Sequence, residues 1–375
     1  MKAQSPARFL LSIVAFMLVA AAPVAVRAQD ARSALTNFPE SQAVLYVNAR
    51  RLINEAAPSV LPPEVLNRGL ADAKQFIDLN GLEYVIAGAR LKGDLSAKQL
   101  PEFLLVVRGN FSAEALLSGA RMLGQDMYTQ ETVGTKTISL FTLNKPTPAN
   151  ADGTQNSKKF PVDQIAAVAL DANTIAVGIP AYLRDAVEAS GGGGRPRLKP
   201  ELVDLALRDA NTLVSLVADI PPGISQHIRA LGAPANAEME RMVDAVRQVQ
   251  LAVNMQPSTF GVQSVIRMDD SKKAMALSGL INLGVGFLKG EIQKDLQKSS
   301  NSSKPQQAAA LGVLETLTNA SRGNEVELNV NFQQAALADV IKRQFAAKKQ
   351  PEATAAPRAN KGAAVKRRRA RPRRR

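Results

Sequence analysis

Apolar and polar positions along this chain follow two periods, and each predicts a type of element. Runs at Ala43 to Val47, Phe103 to Val107, Ile165 to Leu170 and Leu213 to Ala218 are strand-length and rich in Val, Ile and Leu, which predicts central strands. Two later stretches alternate strictly. Val249, Leu251, Val253 and Met255 oppose Gln250, Asn254 and Gln256, while Val326, Leu328, Val330 and Phe332 oppose Glu325, Glu327, Asn329 and Asn331. A period of two with one polar face predicts a sheet covered on one side, the habit of antiparallel sheets. Helical spacing supplies the complement: Met239, Met242, Val243 and Val246, and then Leu337, Val340, Ile341 and Phe345, form single apolar stripes suited to packing on a sheet. Ser112 with Glu114 predicts the start of a helix over Ala113 to Leu123, and Pro180 opens another over Ala181 to Ala189.

The order of these elements predicts two related halves. From about Ala43 the chain reads strand, helices, a pair of strands (Leu82 to Leu91, Pro101 to Arg108), helix, further strands, and a closing strand and helix. From about Thr212 the plan recurs in shorter form, with the pair Val249 to Gln256 and Phe260 to Met268, a long helix after Asp270, and a closing strand and helix over Glu325 to Phe345. Gly191 to Gly194 with Arg195-Pro196-Arg197 separates the halves; Asn144 to Lys159 reads as a hairpin insertion and Lys298 to Gln307 as a polar break. The expected organisation is therefore a leader over 1–28, a first α+β domain over 29–195, a second over 196–345, and a basic tail over 346–375 that lacks apolar periodicity and reads as disordered.

Charge divides along the same lines. Lys2 and Arg8 precede an uncharged run of 18 residues, Phe9 to Val26, closed by Val26-Arg27-Ala28; this layout reads as a secretory signal peptide cut after Ala28. The alternative is an uncleaved membrane anchor, for which the run is at the short limit and is weakened by Ser12 and Pro23. Of the net charge of +14, the leader carries +3 and residues 346–375 carry +11, so the body is neutral. The basic character of the mature chain sits in the tail, above all in Lys366, Arg367, Arg368, Arg369, Arg371, Arg373, Arg374 and Arg375. Guanidinium forks suit phosphates and carboxylates, so these residues are the candidate polyanion-binding site; with no aromatic interleaved, nucleic-acid contact would be non-specific.

The remaining chemistry is read mainly by exclusion. With no cysteine there are no disulfides, thiol nucleophiles or thiolate metal sites. His227 is the single histidine, and Ser225-Gln226-His227 matches neither a nucleophile elbow nor a metal-binding pair. Two carboxylates could act as acid and base on a glycoside, yet the chain lacks Trp and has four Tyr to serve as sugar platforms. The acidic pair Asp269 and Asp270 precedes the long helix and reads as its cap. Gly284, Gly286 and Gly290 lie in an apolar segment from Ala274 to Leu288 and read as sites of close helix packing, not as a phosphate loop. No cofactor or metal is implied. The polar strand face formed by Gln250, Asn254, Gln256, Glu327, Asn329 and Asn331 is a second candidate binding surface, for peptides or glycans, against a plain solvated face.

The leader, the cysteine-free strand-helix halves and the opening Phe38-Pro39-Glu40-Ser41-Gln42-Ala43-Val44-Leu45-Tyr46-Val47 together resemble uncharacterised bacterial exported proteins of unknown-function families. That resemblance implies export and no particular activity or site residue. The combined expectation is an α+β protein of two tandem halves of mixed or antiparallel sheet with helices on the sheets. In function it is a non-catalytic binding or scaffold protein of the periplasm or extracellular space, held to an anionic polymer or membrane surface by its tail. A carboxylate hydrolase and a nucleic-acid binder are the alternatives. N-terminal sequencing of the mature protein from cell fractions is expected to begin at Gln29; recovery of an intact Met1 terminus in the cytosol would overturn the export reading.

Overall fold

Every strand that the apolar runs predict is present, and all of them join one sheet. The computed structural model describes residues 28–67, 79–91, 101–124, 127–144, 162–192, 194, 196–230, 237–298 and 311–349. Residues 1–27 of the leader, the insertion after Asn144, the break after Lys298 and the eight basic residues from Lys366 to Arg375 lie outside the described residues. The first half comprises α1 (Ala28–Thr36), β1 (Ala43–Val47) and α2, the last running through Ala49–Arg51, a π-helical turn Leu52–Ala56, and Ala57–Val60. There follow β2 (Leu82–Arg90), β3 (Glu102–Gly109), α3 (Ala113–Gly124), β4 (Tyr128–Val133), β5 (Lys136–Thr142), β6 (Gln164–Asp171), β7 (Thr174–Gly178) and α4 (Pro180–Ser190). The second half comprises α5 (Pro200–Ala206), β8 (Thr212–Asp219), α6 (Ile224–Ala230), α7 (Ala237–Asp244), β9 (Val246–Met255) and β10 (Thr259–Met268). It ends with α8 (Ser271–Lys298), β11 (Thr318–Arg322), β12 (Glu325–Gln333) and α9 (Gln334–Lys349). The last helix runs four residues into the segment expected to be disordered from residue 346.

Local chemistry sets several of these boundaries. Pro180 and Pro200 occupy the first turns of α4 and α5, where a missing N–H costs nothing. The Ser112 hydroxyl accepts from the Ala115 amide at 3.2 Å and caps α3, as its position predicts. The hairpins β4–β5 and β11–β12 turn on two residues, with Gly134 and Gly323 both at φ 59°, a left-handed conformation that glycine adopts without strain.

Twelve strands form a single antiparallel sheet in the order β11-β12-β10-β9-β8-β1-β2-β3-β7-β6-β5-β4. The two halves meet where β1 pairs with β8, Ala43 opposite Ala218 and Val47 opposite Val214. Outward from that seam, the neighbours β2, β3, β7, β6 on one side answer β9, β10, β12, β11 on the other. The repeat is loose, since the first half adds β5 and β4 and its helices differ in length. The tandem halves are thus not separate sheets: each offers an apolar inner strand that finds its missing neighbour in the other half.

Register partners share a face. We call "front" the face carrying Leu45, Leu216 and Leu251, and "back" the face carrying Val44, Val217 and Gln250. The largest core lies on the back, where α1, α4 and α5 bring Leu35, Phe38, Tyr182, Leu183, Leu202 and Leu205 onto Val44, Tyr46, Ile86, Leu104 and Val106. Burying each such side chain contributes about 1.5–3 kcal/mol. A polar clasp closes this layer. Arg90 donates to Glu102 and Asp185 at 2.6 Å each and lies 4.2 Å from the centre of the Tyr182 ring, whose hydroxyl bonds Ser41. Burial pushes the Tyr182 phenol up to about 12. On the front, α2 packs Ala49 and Ile53 against Val47, Val85 and Val107, while α3 covers the outer strands of the first half.

At Gly178 in β7 an added Cβ would fall against the Phe103 carbonyl oxygen and sit 2.9 Å from the Leu104 Cα. Both obstacles are backbone of a central strand, so Gly178→Ala is expected to destabilise the protein by about 1–3 kcal/mol in urea denaturation, with an unchanged m-value.

Candidate functional site

Most of the polar groups that the sequence singles out are spent on structure. Asp270 accepts from the Lys272 amide at 2.6 Å and Asp269 pairs with Lys273 at 3.0 Å and Arg247 at 3.2 Å, so this acidic pair caps and anchors α8 as expected. His227 falls on α6. Its neighbour Ser225 donates its hydroxyl to Asp244 at 2.7 Å and its amide to the same carboxylate at 3.2 Å, tying α6 to α7. Among the described residues no group of three His, Asp or Glu could hold a metal ion.

The polar strand face divides into a buried and an open part. Gln250 is buried beneath α5, where it donates to the Leu205 carbonyl, and Asn254 accepts from Thr212 Oγ1 at 3.1 Å. Glu327 and Asn329 face the back beside Gln263, and Asn331 follows at the open end; Gln256 lies past the end of β9. Gln263 donates to Glu327 at 2.6 Å, and Arg208 and Arg267 converge on Glu325 at 2.8 and 2.7 Å. Burial raises the proton affinity of Glu325, but the hydrogen bonds from the two guanidiniums outweigh it and hold the carboxyl below its usual range. These bonds tie β10 and β12 to each other and to the loop after α5.

A cleft of about 660 Å3 lies at the outer end of the first half, lined among others by Ser112, Glu114, Arg121, Lys136 and Asp171. Glu114 pairs with Arg121 at 2.8 Å, and Asp171 with Arg108 at 3.1 Å. Arg121 also donates to Ser139 at 2.9 Å. With each carboxylate answered by an arginine, the recess reads as a solvated ion-pair network.

Apolar exposure gives a stronger signal. The 28-residue helix α8 spans about 42 Å at 1.5 Å per residue. Its inner side docks on the front of β10 and β12: Ala274 is buried, and Leu277 and Ile281 join a cluster with Met268 and Val326. At 3.6 residues per turn Met275, Gly279, Leu280, Leu283, Gly286 and Phe287 fall on the opposite side. Leu283 is 73% exposed and Phe287 69%. The expectation that Gly284, Gly286 and Gly290 permit close helix packing is corrected here, because nothing lies within 4 Å of a Cβ placed on any of them. An apolar run without periodicity reads as buried helix whether its second face meets protein or not. Among the described residues α8 alone is long and apolar enough to pass for a membrane span.

Further large apolar side chains are exposed on the same side. Leu216 and Leu251, register partners on the front of β8 and β9, are 42% and 49% exposed. Phe103 faces the front from β3, with Ala89, Ala43 and Ala218 in the same row across β2, β1 and β8. Met122 and Leu123 protrude from the end of α3. The back helices α1, α4 and α5 contribute no exposed large apolar residue among those described.

No protein-family model matches this chain, and no curated protein matches it. Among solved structures the chain is similar to crystal form III of TP0453, at 11% identity and a TM-score of 0.41, over 82% of this chain and 97% of that one. Crystal form I of TP0453 gives 12% identity and a TM-score of 0.37, over 83% and 96%. At these values the likeness carries no argument about fold or function.

Replacing Glu325 by Gln removes the charge that two arginines share. The folded-state carboxyl is depressed, so its contribution to stability is present above the ordinary Glu value near 4.3 and is lost as pH falls through the folded value. Glu325→Gln is expected to cost about 1–3 kcal/mol at pH 7 and to narrow the gap to the parent protein below about pH 4, as read by thermal unfolding across pH.

Proposed function

We propose that this is an exported, non-catalytic binding protein that its cationic tail holds to an anionic surface. The observation that carries this reading is the segregation of charge, a neutral body against +11 over residues 346–375. Within the body, the ion pairs described above tie carboxylates to arginines and staple one element to another. A tail of this kind needs no pocket. Each basic residue near a negative membrane contributes about 1 kcal/mol, so several suffice for reversible attachment. On a nucleic acid, neutralising about eight phosphates would give a log-log salt slope of about −6 to −7.

Deleting residues 346–375 and measuring retention on vesicles containing phosphatidylglycerol, on lipopolysaccharide and on DNA across a salt series tests this. Loss of low-salt retention by at least tenfold is the expected result. Unchanged retention on all three ends the tail-attachment reading.

A further inference from the structure

We propose that α8, together with the apolar front of the sheet, seats the body in the outer few ångströms of a lipid bilayer, with α8 lying in the plane of the membrane. This deepens the surface-attachment reading by committing the surface to lipid, and rests on it for the side of the membrane that the chain meets.

Three observations converge. First, the outward side of α8 carries no charge between Lys273 and Lys289, a stretch of 15 residues or about 22 Å. A face bound to another protein commonly interleaves polar anchors, whereas this one offers only apolar groups and glycine. Second, the charged residues of α8 are confined to its ends: Lys272 and Lys273 precede the apolar stretch and Lys289 follows it, with Lys273 paired to Asp269 and Lys294 to Glu291, so the Lys272 and Lys289 side chains are the ones left to reach toward headgroups when the helix lies flat. Third, the exposed apolar groups are segregated. Leu216, Leu251 and Phe103 project from the front of the sheet, the face on which α8 docks, while the described back helices are apolar only inward. The exposed apolar groups of the sheet and α8 therefore lie on one side of the molecule, where α2 and α9 add charged residues such as Arg51, Glu55 and Lys342.

The same geometry sets the helix in the plane instead of across the membrane. Twenty-two ångströms fall short of a hydrocarbon core of about 30 Å. The inner side of α8 is also held to the sheet, where Ala274 is fully buried and the Asn319 side chain donates to the Ser278 carbonyl at 2.7 Å and to Asn282 Oδ1 at 3.0 Å. Crossing would strip those contacts, whereas lying flat keeps them and buries the opposite side.

The chain contains no tryptophan, so Phe287→Trp provides a single clean fluorophore at an exposed site. The full mature chain carrying this change is mixed with vesicles of phosphatidylcholine and phosphatidylglycerol at 3:1, some made with lipids brominated in the acyl chains. The expected result is a blue shift on vesicle addition and strong quenching by the brominated lipids, both surviving in high salt and in the form that lacks residues 346–375 once lipid is raised. Leu283→Asp in the same background is expected to lower partitioning at least tenfold while leaving the melting temperature unchanged. If the protein sediments with vesicles yet the fluorophore stays water-exposed and unquenched, the tail reading survives and the helix inference fails. A blue shift that needs no lipid and grows with protein concentration overturns the inference in favour of pairing between two copies along α8. Failure to sediment at low salt removes both.

Discussion

The antiparallel pairing of β1 with β8 is the constraint on which the rest of the molecule depends. Each is the innermost strand of its half, and each would be an apolar, unpaired edge if the halves were apart. Joining them makes one sheet of twelve strands and gives both halves a common front and back. The back layer reinforces the joint, because α1 belongs to the first half and α5 to the second, and the two meet over the seam. There the Leu198 amide donates to the Phe38 carbonyl at 2.8 Å and Arg32 pairs with Asp204 at 2.6 Å. Any imbalance between the faces is therefore a property of the entire molecule.

Much of this was legible in the sequence where the cause is local. The apolar runs at Ala43 to Val47 and Leu213 to Ala218 became β1 and β8, and the alternating runs became β9 and β12, because pleat and side-chain period are fixed by neighbours in the chain. Helix starts at Ser112 and Pro180 followed from backbone groups within one turn. What stayed hidden depends on closure. No local pattern reports that β1 and β8 are partners at a separation of about 170 residues, so the halves read as separate sheets. Gln250 and Asn254 belong to the polar period of β9, yet α5 descends on Gln250 and Thr212 of β8 donates to Asn254, which turns both amides into internal hydrogen-bonding groups. The stretch from Ala274 to Leu288 failed for the opposite reason, since burial on all sides and exposure on one side leave the same apolar composition.

The two faces are sealed by different means. On the back, leucines of α1, α4 and α5 reach the sheet with Tyr182 of α4 and Phe38 of the loop after α1, and the two rings meet edge to face with centres 6.5 Å apart. Gly88 in β2 is the fitting that allows this, because a Cβ there would collide with the Phe38 ring and the Tyr182 hydroxyl. On the front the covering helices leave gaps. The middle row pairs Leu45, Leu216 and Leu251 without a helix above the last two, and α8 turns glycines and large apolar groups outward. Over the middle of the sheet the back is therefore closed by α1, α4 and α5, while the front leaves Leu216 and Leu251 uncovered.

That division gives physical sense to a neutral body with a separate charged tail. Screening at physiological salt confines electrostatic attraction to about 8 Å, so a charge block concentrated in one segment of the sequence acts on an anionic layer only at short range and weakens as salt rises. Apolar contact acts only at touching distance and does not weaken with salt. On the proposed reading, the tail captures and the front of the sheet with α8 seats, so the two contributions separate in range and in ionic-strength dependence. Basic residues set into the outward side of α8 would have mixed these roles, because each charge placed among those apolar side chains would have to be desolvated to let the helix settle. Keeping the arginines on a separate strip avoids that cost and leaves the face of α8 free of charge over the stretch that would enter lipid.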